Sequence, residues 1–428
     1  AVLCGGSEAE QQAAMMGTPR NVWRQPLFDE LIPSLVREHR PDVIYVRNSP
    51  SEGAWPFQPD TGVSHYYGVG AYQRPLSDAR MANVRFTSEC LAFANVPCGR
   101  TLSEAGLFQP LHDPRWKARV PRDAGAAWDF EDIRDFYLRD LFDVDPPRLR
   151  YEQPERYLAL SRAVVAEIMT EVFGEWRRAG STCQGGLVWQ LQDLVPGAGW
   201  GIVDARARPK SAWHALRQVW QPLQVILTDE GLNGLHAHVI NESATPRTVC
   251  LTLRCLRDGE AVAARAEQTL TLAPRETRRL AAAEMFDHFF DFTYAYRFGP
   301  PAHDVVIATL HTMDEDNGLL NQPPGPPLSQ SVYLPDRRAA ALREPGLQAS
   351  VAREGDQWWL TVGTRRFARW VHIVDHALQP EADWFHLGPG ETRRIRLMHD
   401  AGVTSGASAI PSGEVSALNA SRPVSYDG

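Results

Sequence analysis

Two glutamates, Glu8 and Glu89, each end a short apolar run that has the character of a β-strand. Glu8 closes Val-Leu-Cys-Gly-Gly-Ser-Glu, and Glu89 closes Asn-Val-Arg-Phe-Thr-Ser-Glu. In a barrel of parallel strands, side chains at the carboxyl ends of the strands reach the same mouth. Two carboxyl groups that face each other there are the minimum equipment for hydrolysing a glycosidic bond.

Glu8 also has a purely structural interpretation. The residues that follow it, Ala-Glu-Gln-Gln-Ala-Ala-Met, could form a helix, and a glutamate in a first helical turn is favoured by the helix dipole. Taken by itself, this interpretation is the stronger one. Together with the motifs further along the chain, however, a catalytic role for Glu8 is favoured over the helix-start role.

The composition is that of an ordinary soluble globular chain. Of its 428 residues, 43% are hydrophobic and 22% are charged, and the length suggests more than one domain. The net charge of -8 argues against a nucleic-acid partner. No run approaches the roughly 18–20 apolar residues that would span a bilayer, so we expect no membrane partner. The compartment, cytoplasmic or periplasmic, stays open.

The sequence shows no sign of a metal or cofactor site. Its 6 cysteines include no CxxC pair and are too sparse for a disulfide scaffold. Cys4, Cys183 and Cys250 lie in apolar runs, where we expect buried structural thiols. No histidine or carboxylate spacing is typical of a metal site, and no glycine-rich phosphate loop is present.

The first half of the chain alternates strand-like and helix-like stretches, which indicates parallel strands with right-handed crossovers. Candidate strands end near residues 4, 46, 67, 87 and 190, and helical periodicity covers 28–38, 130–143, 154–178 and 209–219. A closed barrel needs three strands more than these five. We therefore expect the natural unit to include sequence that is not in this chain.

The second half reads as all-β, with short alternating runs separated by turn signals. We expect an immunoglobulin-like β-sandwich over 222–333 and a second β-sandwich over 340–428, after a barrel segment over 1–221. The Pro-rich stretch 321–327 reads as a stiff boundary between the sandwiches. The last 25 or so residues, rich in Ser, Ala and Gly, read as a loosely packed tail.

Five motifs, in this order, resemble those of family 2 glycoside hydrolases, closest to the β-mannosidase branch. Residues 4–8 (CGGSE) resemble CGNNE, 65–69 (HYYGV) resemble HYWGV, 85–89 (RFTSE) resemble RFxSE, 186–193 (GLVWQLQD) resemble GxxxWQxND, and 383–391 (DWFHLGPGE) resemble [SD]xxFxLxPGE. The resemblance covers nearly the whole chain. It implies a multidomain α/β plus all-β protein, with the C-terminal part of a (β/α)8 TIM barrel followed by two immunoglobulin-like β-sandwich domains.

The resemblance also assigns roles to the two glutamates. It implies retaining hydrolysis of terminal β-mannosyl-type residues, with Glu89 as nucleophile and Glu8 as acid/base. Carboxyl groups about 5–5.5 Å apart are then expected, whereas about 6.5–9.5 Å would imply inversion. The pKa of Glu8 should be raised towards neutrality, and Glu89 should stay ionised. The same mechanism on β-galactosides, β-glucosides or β-glucuronides is an alternative, and a non-catalytic sugar-binding protein is a second one.

Other residues of the motifs are candidates for binding or support. Trp189 resembles the family tryptophan beneath the bound sugar, with a core role as the alternative. Arg85 should point to the same side of its strand as Glu89 and keep it charged, although an ion pair elsewhere is equally expected. The remaining candidates for substrate binding are Ser7, His65, Tyr66, Tyr67, Asp193 and Trp200.

Two departures from the family pattern affect these expectations. Ser7 replaces the family asparagine that contacts the sugar 2-hydroxyl, and its shorter side chain weakens the sugar assignment. Cys90 and Leu91 replace a Phe-Gly after the nucleophile. The partners expected are a glycoside or oligosaccharide substrate and the N-terminal half of the protein, in the same or a separate polypeptide, and a homodimer is compatible with the sequence.

Overall fold

The computed structural model describes residues 2–313, 327–336, 343–399 and 409–428. The described chain is mixed α/β with several further sheets of antiparallel strands. It divides into two compact units, Ala1–Phe93 with Glu175–Leu191, and Ala94–Gly174 with Gln192–Gly428. The predicted Pro-rich boundary lies almost entirely outside the described residues.

The strands of the first unit are short and parallel. They are β1 (Val2–Cys4), β2 (Ile44–Val46), β3 (Val63–Tyr66), β4 (Phe86–Cys90) and β5 (Gly186–Val188). One sheet pairs β1 with β2, and another has the order β3-β4-β5. The apolar runs in the sequence therefore predicted the strand positions correctly to within a few residues.

Helices connect these strands. They are α1 (Ala9–Met15), α2 (Arg20–Trp23), a π-helical turn (Leu27–Leu31) that continues into α3 (Ile32–His39), and α4 (Asp78–Met81). The sequence predicted the α3 region as one helix and gave no signal for α2 or α4, which are each a single turn. Such short helices carry too little apolar periodicity to be recognised.

The expectation of buried thiols at Cys4, Cys183 and Cys250 is wrong. All three side chains of β1 are exposed, Cys4 included, and Cys183 and Cys250 are only partly buried. Among the described residues β1 pairs with β2 alone, so its other edge and its side chains face solvent. An apolar run indicates a strand, but it does not say what covers that strand.

Helices dominate the chain from residue 94 to residue 220. They are α5 (Gly99–Glu104), a 3-10 turn (Pro110–His112), α6 (Pro114–Ala118), α7 (Phe130–Phe142), α8 (Pro146–Glu152), α9 (Pro154–Arg177) and α10 (Ser211–Val219). The start of α7 is fixed by a capping box between Asp129 and Asp132. Within the described ranges, no helix is both long and apolar enough to cross a membrane.

Two antiparallel sheets follow. Their strands are β6 (Leu223–Asp229), β7 (Leu235–Asn241), β8 (Arg247–Arg257), β9 (Ala261–Leu272), β10 (Thr277–Ala281), β11 (Val305–Thr312) and β12 (Ser329–Tyr333). The sheet orders are β10-β7-β6 and β12-β11-β8-β9. Alternate residues of β8, such as Val249, Leu251 and Leu253, are buried in one cluster with Val225 and Val239 of the other sheet. The two sheets therefore share one apolar core.

The C-terminal strands form two more antiparallel sheets. The strands are β13 (Leu347–Glu354), β14 (Gln357–Thr364), β15 (Ala368–Asp375), β16 (Gln379–Pro380), β17 (Phe385–Leu387), β18 (Thr392–Met398), β19 (Ser412–Ser416) and β20 (Val424–Asp427). Their orders are β13-β14-β18-β16 and β17-β15-β19-β20. Buried residues of both sheets, Val362 and Ile373 among them, form one core cluster.

The predicted loose tail is wrong for residues 412–427. β19 pairs with β15, and β20 pairs with β19. Val415 and Tyr426 are buried in the core of the neighbouring sheets. Small residues lower the hydrophobicity of this segment. It still forms strands, because the main-chain groups of β15 need hydrogen-bond partners and two of its apolar side chains are buried.

Candidate active site

Glu8 is positioned by main-chain pairing that continues beyond β1 and β2. The Gly5 amide donates to the Val46 carbonyl at 2.9 Å, and the Glu8 amide donates to the Ser49 carbonyl at 2.7 Å. Glu8 itself adopts a left-handed conformation, with φ 58° and ψ 3°, immediately before α1. This conformation is costly for a non-glycine residue and is often found at functional sites.

The helix-start interpretation of Glu8 does not describe what its carboxylate does. Glu8 occupies the N-cap position of α1, but its side chain makes no capping hydrogen bond. Instead, Oε1 of Glu8 lies 2.8 Å from Nδ1 of His65. An ionised carboxylate can only accept, so Nδ1 carries the proton in this bond.

His65, near the end of β3, is the centre of the cluster. Its side chain is 1% exposed, and its Nδ1 also lies 3.4 Å from Oε2 of Glu89. Its other ring nitrogen, Nε2, is 2.9 Å from the hydroxyl of Ser49. Ser49 in turn hydrogen-bonds to Ser88. Both ring nitrogens are therefore held, and the imidazole has a fixed orientation between the two carboxylates.

Glu89 lies in β4 next to an irregularity in the strand pairing. Ser64 pairs with Thr87, but the next residue, His65, pairs with Glu89, so Ser88 is an extra residue of the bulge type. Oε2 of Glu89 accepts a hydrogen bond from the Tyr67 hydroxyl at 2.8 Å. The Ser7 hydroxyl lies 3.5 Å from Oε1, a long contact.

The same irregularity overturns the expectation for Arg85. Period-two alternation between Arg85 and Glu89 requires an uninterrupted ladder, and the extra residue breaks it. Arg85 instead donates from Nε to the main-chain carbonyl of Asp60 at 3.2 Å. Among the described residues, no ion pair joins Arg85 to Glu89.

The two carboxylates are close together. One oxygen of Glu8, one oxygen of Glu89 and one ring nitrogen of His65 all lie within 4.8 Å of one another. Three such groups could also hold a cation. The ring nitrogens of His65 are occupied by hydrogen bonds, however, and a nitrogen that carries a proton cannot be a ligand. The arrangement as it stands is that of two carboxylates with one imidazole between them.

The electrostatics of Glu8 differ from the sequence-based expectation. The hydrogen bond from His65 lowers the pKa of Glu8 below its ordinary value, and it outweighs the partial burial that would raise the pKa. The expectation of a raised pKa for Glu8 is therefore wrong for the resting site. By contrast, burial and the neighbouring charge of Glu89 raise the pKa of Tyr67, so its hydroxyl remains a neutral donor.

Two further candidates belong to the same unit. The Tyr66 hydroxyl donates to Asp78 at 2.9 Å, and its ring meets Trp176 edge-to-face at 5.2 Å, so Tyr66 supports the core and Tyr67 faces Glu89. Trp189 follows β5, and its amide donates to the carbonyl of Cys90 at 2.9 Å. This bond fixes the main chain of Trp189 beside the residue after Glu89.

Asp193 and Trp200, two of the predicted substrate-binding residues, belong to the second unit. Asp193 forms a buried ion pair with Lys210 and accepts from the Gly201 amide at 2.7 Å. The Trp200 ring packs edge-to-face on Phe130, with centroids 5.1 Å apart. These contacts give both residues structural roles within that unit.

None of the sequence motifs includes Ser49 or Asn48. Ser49 links Glu8, through its carbonyl, to His65, through its hydroxyl. Asn48 is fully buried, and both polar atoms of its side-chain amide lack a hydrogen-bond partner among the described residues. Their signal was available, because both follow β2 at the strand end where site residues of parallel sheets collect.

Part of the chain is similar in sequence to known β-mannosidases. No family model matches the sequence. β-Mannosidase B of Aspergillus niger is 28% identical over 232 residues, which are 52% of this chain and 25% of that protein. β-Mannosidase B of Aspergillus oryzae is 28% identical over 209 residues, 46% of this chain and 23% of that protein. The matched region is thus about a quarter of these relatives.

Solved structures extend the likeness in fold. A β-D-mannosidase from Dictyoglomus thermophilum superposes with a TM-score of 0.74 at 15% identity, over 94% of this chain and 46% of that one. The exo-chitosanase CsxA of Amycolatopsis orientalis gives a TM-score of 0.62 at 14% identity, over 100% of this chain and 51% of that one. Over the part that these comparisons cover, the chain is similar to β-mannosidases in sequence and to a β-mannosidase and an exo-chitosanase in fold.

Proposed function

We propose that this chain carries the catalytic carboxylates of a retaining exo-β-glycosidase that removes terminal β-mannosyl-type residues. The observation that carries the proposal is the Glu8–His65–Glu89 cluster, whose ligand atoms lie within 4.8 Å of one another. A spacing of this order supports retention, for which carboxyl groups about 5–5.5 Å apart are typical, over inversion, for which about 6.5–9.5 Å is typical.

In the first step, Glu89 attacks the anomeric carbon, and the bond from that carbon to the leaving oxygen breaks. Glu8 gives its proton to the leaving oxygen, and a glycosyl ester on Glu89 results. Tyr67 and Ser7 orient the Glu89 carboxylate for this attack. These contacts limit the rotation of the carboxylate, which lowers the entropic cost of the step.

In the second step, water attacks the same carbon, and the ester bond to Glu89 breaks. Glu8 now takes the proton of the water, and Glu89 regains its negative charge. The lowered pKa of Glu8 keeps its carboxylate ionised, so that it can accept this proton. For the acidic role, entry of substrate removes water from Glu8, whose side chain is 30% exposed, and this desolvation raises its pKa.

We assign the parallel strands to the C-terminal part of a (β/α)8 barrel over 1–221, followed by immunoglobulin-like sandwiches over 222–333 and 340–428. The remaining barrel strands then come from polypeptide outside this chain. Exposed apolar side chains on β1 and β2, namely Val2, Leu3 and Ile44, support this assignment, because a further strand would cover them. The matched region is also a small part of the relatives.

The mannosyl assignment draws on the names of the curated relatives, and Ser7 is the residue that tests it. Its hydroxyl contacts Glu89 at 3.5 Å, so it lies beside the nucleophile. A short hydroxyl side chain leaves more room beside the sugar than an asparagine would. Galactosides, glucosides, glucuronides and glucosaminides are therefore the alternative substrates to compare.

The decisive experiment is a panel of nitrophenyl β-glycosides assayed on the protein with its full natural polypeptide. We expect turnover of the mannoside, loss of turnover in Glu89→Ala, and rescue by azide to give an α-glycosyl azide. A Glu104→Ala variant is a matched control, since Glu104 is a carboxylate in the other unit that pairs with Arg208. Absence of turnover on every sugar by the folded protein would favour a non-catalytic sugar-binding role.

A further inference from the structure

The helical part of the second unit contains a cavity of about 390 Å³, which is within the size range of small-molecule sites. We call it the α7–α8 cavity, because its lining comes mainly from these two helices. Asp132, Asp135 and Arg139 line it from α7, where spacings of three and four residues place them on one face of the helix. Arg150 and Tyr151 line it from α8. The candidate catalytic residues take no part in it.

A buried hydrogen-bonded network holds two of the lining residues in place. The guanidinium of Arg134, which is fully buried, donates to Glu131 at 3.1 Å and to the Tyr157 hydroxyl at 2.6 Å. The Tyr157 hydroxyl in turn donates to Oδ1 of Asp135 at 2.8 Å. Arg150 forms an ion pair with Glu131 at 2.5 Å. Asp135 and Arg150 are therefore fixed before any ligand binds, which reduces the ordering cost of binding.

The lining also offers polar groups that the described residues do not satisfy. Asp135 is only 8% exposed, and its carboxylate accepts a hydrogen bond on Oδ1 alone. Burial raises the pKa of Asp135, so a further donor to this carboxylate would be stabilising. The buried Nε of Arg150 has no acceptor within the described ranges. The side chains of Arg139 and Tyr151 are exposed and make no hydrogen bond or ion pair with the described part of the chain.

The charges of the lining balance one another. The carboxylates of Asp132 and Asp135 are matched by the guanidinium groups of Arg139 and Arg150, and His112 adds an imidazole that can donate and accept. A simple anion or cation would therefore meet a like charge as well as an opposite one. Hydroxyl groups both donate and accept, so a neutral molecule with several hydroxyl groups satisfies both kinds of lining residue.

Two rings at the α8 side give the cavity an apolar surface as well. Pro147 and Tyr151 are both exposed and lie four residues apart, on the same face of the helix. The C–H bonds on one face of a pyranose carry partial positive charge, which matches the negative face of an aromatic ring. Several hydroxyl groups and one apolar face together are the properties of a sugar.

We propose that the α7–α8 cavity binds a neutral monosaccharide unit, at a site that contains none of the candidate catalytic residues. Asp132 and Asp135 accept from its hydroxyl groups, and Arg139 and Arg150 donate to them. Tyr151 covers the C–H face of the ring. This inference does not rest on the proposed function, because every residue in it belongs to the second unit.

Hydrogen exchange followed by mass spectrometry tests the proposal on the full natural polypeptide, because it locates a bound ligand without requiring turnover. The probes are D-mannose, D-glucose and D-galactose, with glycine and inorganic phosphate as the charged comparison. Peptides that cover α8 (Pro146–Glu152) report on the cavity, and peptides that cover β3 and β4 report on the candidate active site. We expect at least one sugar to slow exchange in α8, and phosphate and glycine to leave it unchanged.

Three variants connect this protection to the cavity. Arg139→Gln removes one guanidinium group and Tyr151→Ala removes the ring, and both residues are exposed, so the fold should persist. Arg148→Gln is the matched control, because Arg148 also lies on α8 but pairs with Glu152 and does not line the cavity. The sugar concentration that gives half of the protection should rise about tenfold in the first two variants and stay unchanged in the control.

Several results would overturn the proposal. They are unchanged exchange in α8 with all three sugars, stronger protection by phosphate or glycine than by any sugar, and an equal loss of protection in Arg148→Gln. The nitrophenyl panel separates this proposal from the proposed function. If no glycoside is hydrolysed but a sugar protects α8, the catalytic proposal fails and the cavity site stands. If turnover is normal and α8 is not protected, the cavity site fails alone.

Discussion

Replacing Tyr67 by phenylalanine should slow the second chemical step more than the first. The Tyr67 hydroxyl donates to Glu89 at 2.8 Å. Glu89 loses its charge when the glycosyl ester forms and regains it when the ester is hydrolysed. A donor to Glu89 therefore stabilises the departing carboxylate in the second step, while in the first step it stabilises the reactant state.

The size of the effect follows from the type of hydrogen bond that is lost. A hydrogen bond to a charged group contributes about 1.5–3 kcal/mol. At about 1.4 kcal/mol per factor of ten, hydrolysis of the ester should slow by about 10- to 150-fold. The Glu89 side chain is 19% exposed, so water can replace part of the lost bond, and the lower end of this range is expected.

Stopped-flow measurement of nitrophenolate release tests this reasoning. In Tyr67→Phe we expect a burst of about one equivalent per site, followed by slow turnover, because the glycosyl ester accumulates. Tyr66→Phe is the matched control, since it removes a neighbouring hydroxyl that bonds to Asp78 instead. That variant should lower thermal stability without a burst. A Tyr67→Phe protein with unchanged kcat and no burst would refute the argument.

Three other variants test different parts of the structure. Glu8→Ala should retain the first step for nitrophenyl substrates, which need no protonation, and lose it for alkyl glycosides; equal loss on both would contradict the acid role. His65→Leu removes the main cause of the low pKa of Glu8, so the alkaline limit of kcat/KM should move to higher pH, as a pH profile would reveal. The lowered pKa also stabilises the fold above the unfolded-state pKa of Glu8, and this contribution disappears as pH falls through the folded-state pKa. Lys210→Met leaves the buried Asp193 carboxylate without its ion-pair partner. The free energy of unfolding, measured with urea, should fall by about 3–5 kcal/mol, and the pH profile of kcat/KM should not change.

The strand positions could be read from the sequence because apolar runs separated by helical periodicity are a local signal. β1, β2 and β3 lie where those runs occur. The bulge at Ser88 has no comparable signal, since an extra residue in a ladder depends on the neighbouring strand. The expectation that Arg85 lies on the same side as Glu89 failed because it assumed a ladder without this bulge. The error over the tail has a similar origin, because β19 and β20 form by pairing with β15, far away in sequence.

The sequence alone determined which residues could do chemistry: two glutamates at strand ends, within motifs that resemble one enzyme family. It could not determine how those residues act on one another, because pKa values and hydrogen bonds depend on distances between segments that are remote along the chain. Parallel pairing of the segments after β1 and β2, and of β3 with β4, brings Glu8, His65 and Glu89 within 4.8 Å. That proximity lowers the pKa of Glu8, and only the tertiary structure could decide it.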